Sequence, residues 1–412
     1  MEELAIFGGM PIRTNKIGYG RQWIDDEDIK VVSDILSGDF LTCGPIVTKC
    51  EQEIAKYVGT KHCTVCSNGT AALHIAMLAA GVGPGDEVIT TPLTFAASAN
   101  CALYVGAKVV FADIDKETYE ISPNEIEKKI TSKTKAIVSV DFTGQTADLD
   151  KIISICKKNN IILIEDGAQS FGTSYKGKKV GSIADITTFS FHPVKSITCG
   201  EGGAVTTNDD ELGKKIALFA RHGITHDENL MKEAPHEGPW YYEEIELGYN
   251  YRLTDFQAGL LLSQLKKIDK FKNRRDEIVK IYDEELSKIP ELILQKRTEG
   301  SDTFRHLYIV QLDLNKLKCT RREAYDALAA EGIQCQIHYV PVYWFPYYQQ
   351  LGFKKGLCSN AEKVYKGFLT IPLFPMMTDK DVSDVLQAIK KVVKYYSKNY
   401  CYKTNEYCVK EN

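Results

Sequence analysis

Ser190-Phe-His-Pro-Val-Lys195-Ser-Ile-Thr-Cys-Gly200-Glu-Gly-Gly203 is the stretch on whose reading the fold turns. An apolar, β-branched run at 186–191 leads into it, Gly200, Gly202 and Gly203 lead out, and residues 204–207 read as a second short strand. Lys195 therefore sits on a connection between two buried strands, where few conformations are open to it. A desolvated lysine favours its neutral, nucleophilic amine, the form that condenses with an aldehyde into a Schiff base. An isolated lysine ahead of a glycine is ordinarily a surface turn. Two other stretches give this one more weight.

Ile161-Ile-Leu-Ile164 is a continuous apolar run of the parallel-sheet type and ends in Glu165-Asp-Gly-Ala-Gln169. Two carboxylates and an amide thus lie at the carboxyl end of a buried strand, where open α/β sheets place ligands. A pyridoxal phosphate (PLP) enzyme needs a carboxylate against the pyridinium nitrogen to keep the ring protonated as an electron sink, and Asp166 is the candidate. Elsewhere such a carboxylate simply caps a strand end. Cys63-Thr-Val-Cys66 is a third β-like run, and Ser67-Asn-Gly-Thr70 after it opens a helix of strong helix formers at 71–80. Strand, small polar turn and helix N-terminus together point N–H groups at an anion. Alone this is an ordinary helix cap. The order Asn68-Gly69-Thr70, Asp166, Lys195 is harder to assign to structure alone.

These residues resemble a known family. Ser190-Phe-His-Pro-x-Lys195, Gly200-Glu-Gly-Gly203 and Glu165-Asp-x-Ala-Gln169 look like the motifs of the DegT/StrS-type sugar-nucleotide aminotransferases. So do Leu41-Thr-x-Gly44, Ser67-Asn-Gly-Thr-Ala-Ala-Leu73, Thr91-Pro-x-Thr-Phe95 and Gly248-Tyr-Asn-Tyr-Arg-Leu-Thr-Asp255, so the resemblance spans about residues 17–396. Gly238-Pro-Trp-Tyr-Tyr242, Leu260-Leu-Leu-Ser-Gln-Leu-Lys-Lys267 and His338-Tyr-x-Pro-Val-Tyr343 are most similar to one branch. That branch aminates C4 of a UDP-linked 4-keto-6-deoxy-N-acetylhexosamine in nonulosonic (pseudaminic) acid biosynthesis.

The resemblance implies that Lys195 holds PLP and then moves a proton as a free amine, and that Asp166 pairs with the ring nitrogen. Gln169 would contact the ring hydroxyl, Phe95 would stack on the ring, and Gly69, Thr70 and Ser190 would bind phosphate. Asn250 matches an asparagine that reaches the neighbouring subunit's phosphate, which implies a homodimer with shared active sites. Tyr19, Asp39, Phe40, Leu41, Thr42, Gly69, Ser190, Asn250, His338 and Tyr339 would line the substrate pocket. The expected substrates are a UDP-sugar and an amino-acid donor such as glutamate. Without the family, Phe95 reads as core, Asn250 as a turn residue, Gln169 as a structural hydrogen bonder, and His192 and His338 as satisfied histidines. Two positions depart from the pattern: Cys199 and Cys43 stand where threonine and glutamine are common, and Cys43 adjoins the proposed substrate wall.

Another keto sugar (perosamine, 4-amino-arabinose or a 3-amino sugar) fits the same chemistry. Relatives with histidine in place of the lysine are sugar 3-dehydratases, and Lys195 weighs against that. A PLP-fold sensor or scaffold usually carries an added DNA-binding module, for which this chain has no spare length or basic region.

The 412 residues suffice for a large core, and a net charge of −4 with interspersed signs leaves no footprint for nucleic acid. No apolar run approaches a membrane span, and Met1-Glu-Glu-Leu4 lacks a basic, apolar leader. The 12 scattered cysteines read as reduced thiols of a cytoplasmic protein, and a metal site is not expected from one Cys-x-x-Cys. Helix signals cover 25–36, a second stretch ending near 58, 148–158, 253–272, 320–330 and 382–396. Strand signals cover 87–91, 108–112, 136–140, 161–164, 185–191, 203–207, 306–313 and 335–339. The alternation predicts a mostly parallel sheet covered on both faces, the aspartate-aminotransferase-like (PLP type I) α/β fold, with a smaller α/β C-terminal domain. The expected division is 1–265, 266–400 and a loose tail at 401–412. A polar, glycine- and proline-broken stretch at 222–244 reads as a long loop able to cover a site.

Overall fold

Seven short runs of mostly branched and apolar residues meet in one sheet: β1 (His62–Cys66), β2 (Glu87–Thr90), β3 (Lys108–Phe111), β4 (Thr134–Val140), β5 (Ile162–Asp166), β6 (Ile186–Ser190) and β7 (Gly203–Thr207). This computed structural model describes residues 2–232 and 238–398. The strand order is β1-β7-β6-β5-β4-β2-β3. β7 runs antiparallel to both its neighbours, and the other pairs are parallel.

Side chains alternate between two covered faces, as period-two geometry requires. Helices α1 (Asp26–Leu36) and α2 (Pro45–Val58) come first in the chain; on one face of the sheet Val88, Val138 and Ile164 pack with α3 (Gly69–Ala79) and α4 (Ala97–Tyr104). On the other Ile89, Ile137 and Leu163 pack with Ile152 and Ile155 of α5 (Leu149–Asn159). α3 is apolar almost all round and correspondingly buried, from Ala71 through Met77. Its N-cap is Asn68, whose side chain accepts the Ala71 N–H at 2.8 Å. Parallel strands put their carboxyl ends on one rim, so the turns after β1 and β5 and the exit of β6 gather there.

The C-terminal part has a core of its own around an antiparallel sheet of β8 (Leu292–Leu294), β9 (Tyr308–Leu312) and β10 (Phe368–Ile371). Val382, Val385, Ile389 and Val392 of the last helix, Asp379–Tyr396, fill it from one side. Leu4 and Ile17 of the N-terminal arm are buried in the same cluster.

Two element assignments differ from the sequence reading. The single helix expected at 253–272 is two, Asp255–Leu265 and Ile268–Leu286. The chain leaves helical geometry at Lys267, whose ammonium is taken up by Asp25 at 2.6 Å and Asp28 at 2.7 Å. The second helix then buries Ile268 and Phe271 in one core and Tyr282 and Leu286 in the other. The strand expected at 335–339 is a lone bridge, Gln336 to Thr370, after which the chain leaves the sheet. Within 222–244, Ile224–Thr225 pairs with Glu243–Glu244. Residues 233–237 and the tail at 401–412 lie outside the described residues.

The close approach of β7 to the turn after β1 gives a stability prediction. A Cβ on Gly203 would stand 2.4 Å from the Asn68 carbonyl oxygen and 3.0 Å from the Gly69 nitrogen. Gly203→Ala is expected to destabilise the protein by about 1–3 kcal/mol, the usual cost of overpacking, read by urea unfolding. Wild-type stability in that variant would mean the turn gives way freely.

Candidate active site

A cavity of ≈960 Å³ opens at the carboxyl rim of the sheet. The turn after β1 contributes Asn68, Gly69 and Thr70, and the end of β5 contributes Asp166, Ala168 and Gln169. Ser190 ends β6, and the 191–202 connection adds His192, Lys195 and Glu201. Tyr19, Phe95, His306, His338 and Tyr339 also line it.

The connection holding Lys195 is longer than a hairpin yet tightly tied. The Phe191 N–H donates to the Gly202 carbonyl at 2.8 Å, and Lys195's own N–H donates to the His192 carbonyl at 3.0 Å. Thr198 donates its hydroxyl to the Phe191 carbonyl at 2.9 Å, and Gly200 takes a left-handed φ of 83°. Burial pulls the Lys195 ammonium down to about 8, against the opposing attraction of Asp166. A neutral fraction on the order of a tenth is therefore present near neutrality, far more than an ordinary lysine offers to a nucleophilic role.

Asp166 is pushed up by burial, and three partners oppose that. Ser98 donates its hydroxyl to Oδ2 at 2.6 Å, Ala168 donates its N–H to Oδ1 at 3.1 Å, and Lys195 adds a positive charge. Strand alternation sends the neighbouring Glu165 the other way: it is fully buried, accepts the Thr187 hydroxyl at 3.1 Å and does not line the cavity. Burial raises both Glu165 and the adjacent Asp141. Asp166 is thus the carboxylate of the pair that faces the cavity.

Gln169 accepts the Thr143 N–H on its carbonyl oxygen at 2.9 Å, so what it offers the cavity is its NH2 group. Gly69 and Ser190 approach so closely that a Cβ on Gly69 would stand 2.8 Å from the Ser190 Cβ. With Thr70 they make a small polar cradle at the N-terminus of α3. Phe95 is 61 % exposed, so its ring is available as a wall and is not core. The Tyr19 and His338 rings lie 5.0 Å apart and those of His338 and Tyr339 4.8 Å apart. His338 also shares a 2.9 Å hydrogen bond with Thr370, and burial pulls its imidazole down to about 4.

Five predicted site residues stand apart from this cavity: Asp39, Phe40, Leu41, Thr42 and Asn250 do not line it. Instead Thr42 bridges to Thr254 and Asn250 bridges to Arg221. Conversely, the sequence reading passed over Thr94, Ser98, His74, Tyr251 and His306, all of which line it. The four-residue spacing of Thr94 and Ser98 just after the Thr91-Pro motif was the available signal for that pair. For His306 there was none.

The residues present fit pyridoxal phosphate: an amine of lowered basicity, a desolvated carboxylate, and a glycine-serine cradle on a helix N-terminus share one cavity. Comparison with known proteins points the same way. A family model described as the DegT/DnrJ/EryC1/StrS aminotransferase family matches residues 22–390. The spore coat polysaccharide biosynthesis protein SpsC of Bacillus subtilis is 41 % identical over 93 % of this chain and 98 % of its own length. The UDP-4-amino-4,6-dideoxy-N-acetyl-beta-L-altrosamine transaminase of Campylobacter jejuni is 40 % identical over 93 % of this chain and 100 % of its own. A putative sugar aminotransferase, Spr1654 from Streptococcus pneumoniae, in its PMP-form, superposes with a TM-score of 0.86 at 30 % identity, covering 92 % of this chain and 99 % of that one.

The lowered basicity of Lys195 sets a pH dependence. Capture of added pyridoxal phosphate, followed by its absorption, should accelerate with rising pH and level off above about 8, where the amine is largely neutral. A rate still climbing steeply up to the ordinary lysine range would show that the amine is not desolvated.

Proposed function

We propose a substrate from one premise: the chain belongs to the DegT/DnrJ/EryC1/StrS aminotransferase family. It is a pyridoxal-phosphate-dependent sugar aminotransferase. In our reading it transfers the amino group of an amino acid, with glutamate the expected donor, to C4 of a UDP-linked 4-keto-6-deoxy-N-acetylhexosamine. The product would enter nonulosonic (pseudaminic) acid biosynthesis in the cytoplasm. The observation that carries this reading is the wall of Tyr19, His338 and Tyr339 on the cavity. It holds the His-Tyr pair that the sequence shares with the C4-transaminase branch. The relative named for that reaction, aligned over its full length, adds support.

Bound pyridoxal phosphate supplies the electron sink that makes a proton next to the transferred nitrogen removable. The chain's residues do the rest. Lys195 Nζ would hold the cofactor through its aldehyde and, as a free amine, would serve as the proton carrier beside the donor's α-carbon. Asp166 would keep the ring nitrogen protonated, Gln169 would donate to the ring hydroxyl, and Phe95 would cover a ring face. Gly69, Thr70 and Ser190 take the phosphate. Asn250 and residues 39–42 serve the cavity of a second copy, so the working form is a homodimer with shared sites.

The decisive experiment incubates pure protein with glutamate and a panel of UDP-, dTDP- and GDP-linked keto sugars and identifies the amino sugar by mass and NMR. The 4-keto-6-deoxy-N-acetylhexosamine should react fastest. Faster turnover of another keto sugar would replace the substrate and leave the chemistry standing.

Two variants test the shared site. Lys195→Ala should lose transamination by several orders of magnitude. Asn250→Ala should fall about tenfold or more through loss of one charge-assisted hydrogen bond. Mixed under subunit exchange, they should regain activity, since one cavity per heterodimer has both residues intact. Exchange proven by mass without regained activity would dismiss the shared site, and so would a monomer in sedimentation.

A further inference from the structure

Asp166 is held by a side chain just beyond the Thr91-Pro-x-Thr-Phe95 motif. Ser98, on the first turn of α4, places its Oγ 2.6 Å from Asp166 Oδ2, and Thr94 Oγ1 stands 2.7 Å behind it. A serine hydroxyl has one hydrogen. Donated to an ionised Asp166, it leaves Ser98 Oγ as an acceptor, so Thr94 supplies the next hydrogen. All three side chains are buried: Thr94 is 2 % exposed, Ser98 1 % and Asp166 4 %. Water therefore cannot readily replace a lost donor. The pair also adjoins the ring-covering residue, since Thr94 precedes Phe95 in the chain and Ser98 Oγ lies 3.3 Å from the Phe95 carbonyl.

We propose that Thr94 and Ser98 form a relay of positioning residues that keeps Asp166 ionised and aimed, so that the cofactor's ring nitrogen stays protonated. The inference rests on the assignment of Asp166 as partner of that nitrogen.

In such a pair one proton lies between two bases, the carboxylate and the ring nitrogen. A hydroxyl donated to the carboxylate lowers its basicity and leaves the proton on nitrogen. Without it, burial favours the neutral pair of carboxylic acid and uncharged pyridine, a weaker electron sink. The titratable groups that act on Asp166 from its surroundings are Lys195, Asp141, Cys101 and Tyr339. Lys195 is the only cation among them. Cys101 and Tyr339 are held neutral by burial, and Asp141 is raised by it. None of them donates the hydrogen bond that Ser98 does.

The test loads the wild type, Ser98→Ala, Ser98→Thr and Thr94→Val with pyridoxal phosphate labelled with nitrogen-15 in the ring. The nitrogen shift is followed against pH, beside kcat, cofactor affinity and thermal stability. The wild type should show a protonated nitrogen. Ser98→Ala should move the signal towards the unprotonated position at lower pH and reduce kcat about tenfold or more, and Ser98→Thr should restore both. A Ser98→Ala protein with wild-type signal and kcat overturns the relay. So does one that loses only affinity and stability, since that is what a merely structural serine predicts. If Ser98→Ala fails to fold, Thr94→Val decides: a smaller displacement in the same direction supports the relay, and none overturns it. A wild type that never takes up the cofactor fails the proposed function itself and the relay with it.

Discussion

One row of strand ends sets everything at the cavity. Gly203 of β7 pairs with Cys66 of β1 on one side and with Ser190 of β6 on the other, and β6 pairs Thr188 with Asp166 of β5. The exits of three strands are thereby brought level, so that the phosphate-type turn, the carboxylate and the lysine connection leave the sheet side by side. Because β side chains alternate, a slip of one residue at β5 would exchange Asp166 for Glu165. The antiparallel insertion of β7 between β1 and β6 lets two segments far apart in sequence, 67–70 and 190–195, share one cavity.

Desolvation acts on both charged groups there, and the roles proposed for them need opposite outcomes. At Lys195 burial must win, because the neutral amine is the reactive form; it outweighs the attraction of Asp166. At Asp166 burial must be opposed, because the ionised form is the useful one, and the Ser98 hydroxyl, the Ala168 N–H and Lys195 oppose it. Glu165 shows the alternative. One position earlier, beside Asp141, it is raised by burial to about 7 against hydrogen bonds from Thr187, Asp141 and the Gly181 backbone, with no cation among its partners. Two adjacent carboxylates are thus both raised by burial, and only Asp166 has the Lys195 charge among the partners that oppose it.

What the sequence made legible was local and contiguous. The sheet strands read from apolar runs, and Lys195, Asp166 and the Asn68-Gly69-Thr70 turn read from motifs that sit at strand ends. What it hid depends on partners far along the chain. The break at Lys267 answers to Asp25, 242 positions away, and a continuous helical periodicity across 253–272 carries no trace of it. The segment at 335–339 has strand composition, yet Gln336 makes its one bridge to the sheet, at Thr370, and His338 and Tyr339 turn to the cavity. Ser98 and Thr94 look like small residues of a helix start until Asp166, 68 positions from Ser98, is placed beside them.

The residues that the resemblance placed in the pocket and that this chain's cavity lacks are themselves joined. Asp255 accepts the Gly44 N–H at 2.8 Å and the Ile46 N–H at 3.0 Å, and its own N–H donates to the Leu41 carbonyl at 2.9 Å. Segments 39–46 and 250–255 are thereby stitched into one unit, with Phe40 55 % and Leu41 48 % exposed upon it. Two large apolar side chains beside each other at the surface, on segments tied by a buried carboxylate, are costly for an isolated chain and reasonable for a face that another chain covers. A hydrogen-bonded unit that carries Phe40 and Leu41 outside its own cavity suits the proposed shared site, in which a second copy would complete the first one's cavity. The hydrogen bonds already made within it would lower the entropic cost of ordering these segments on association.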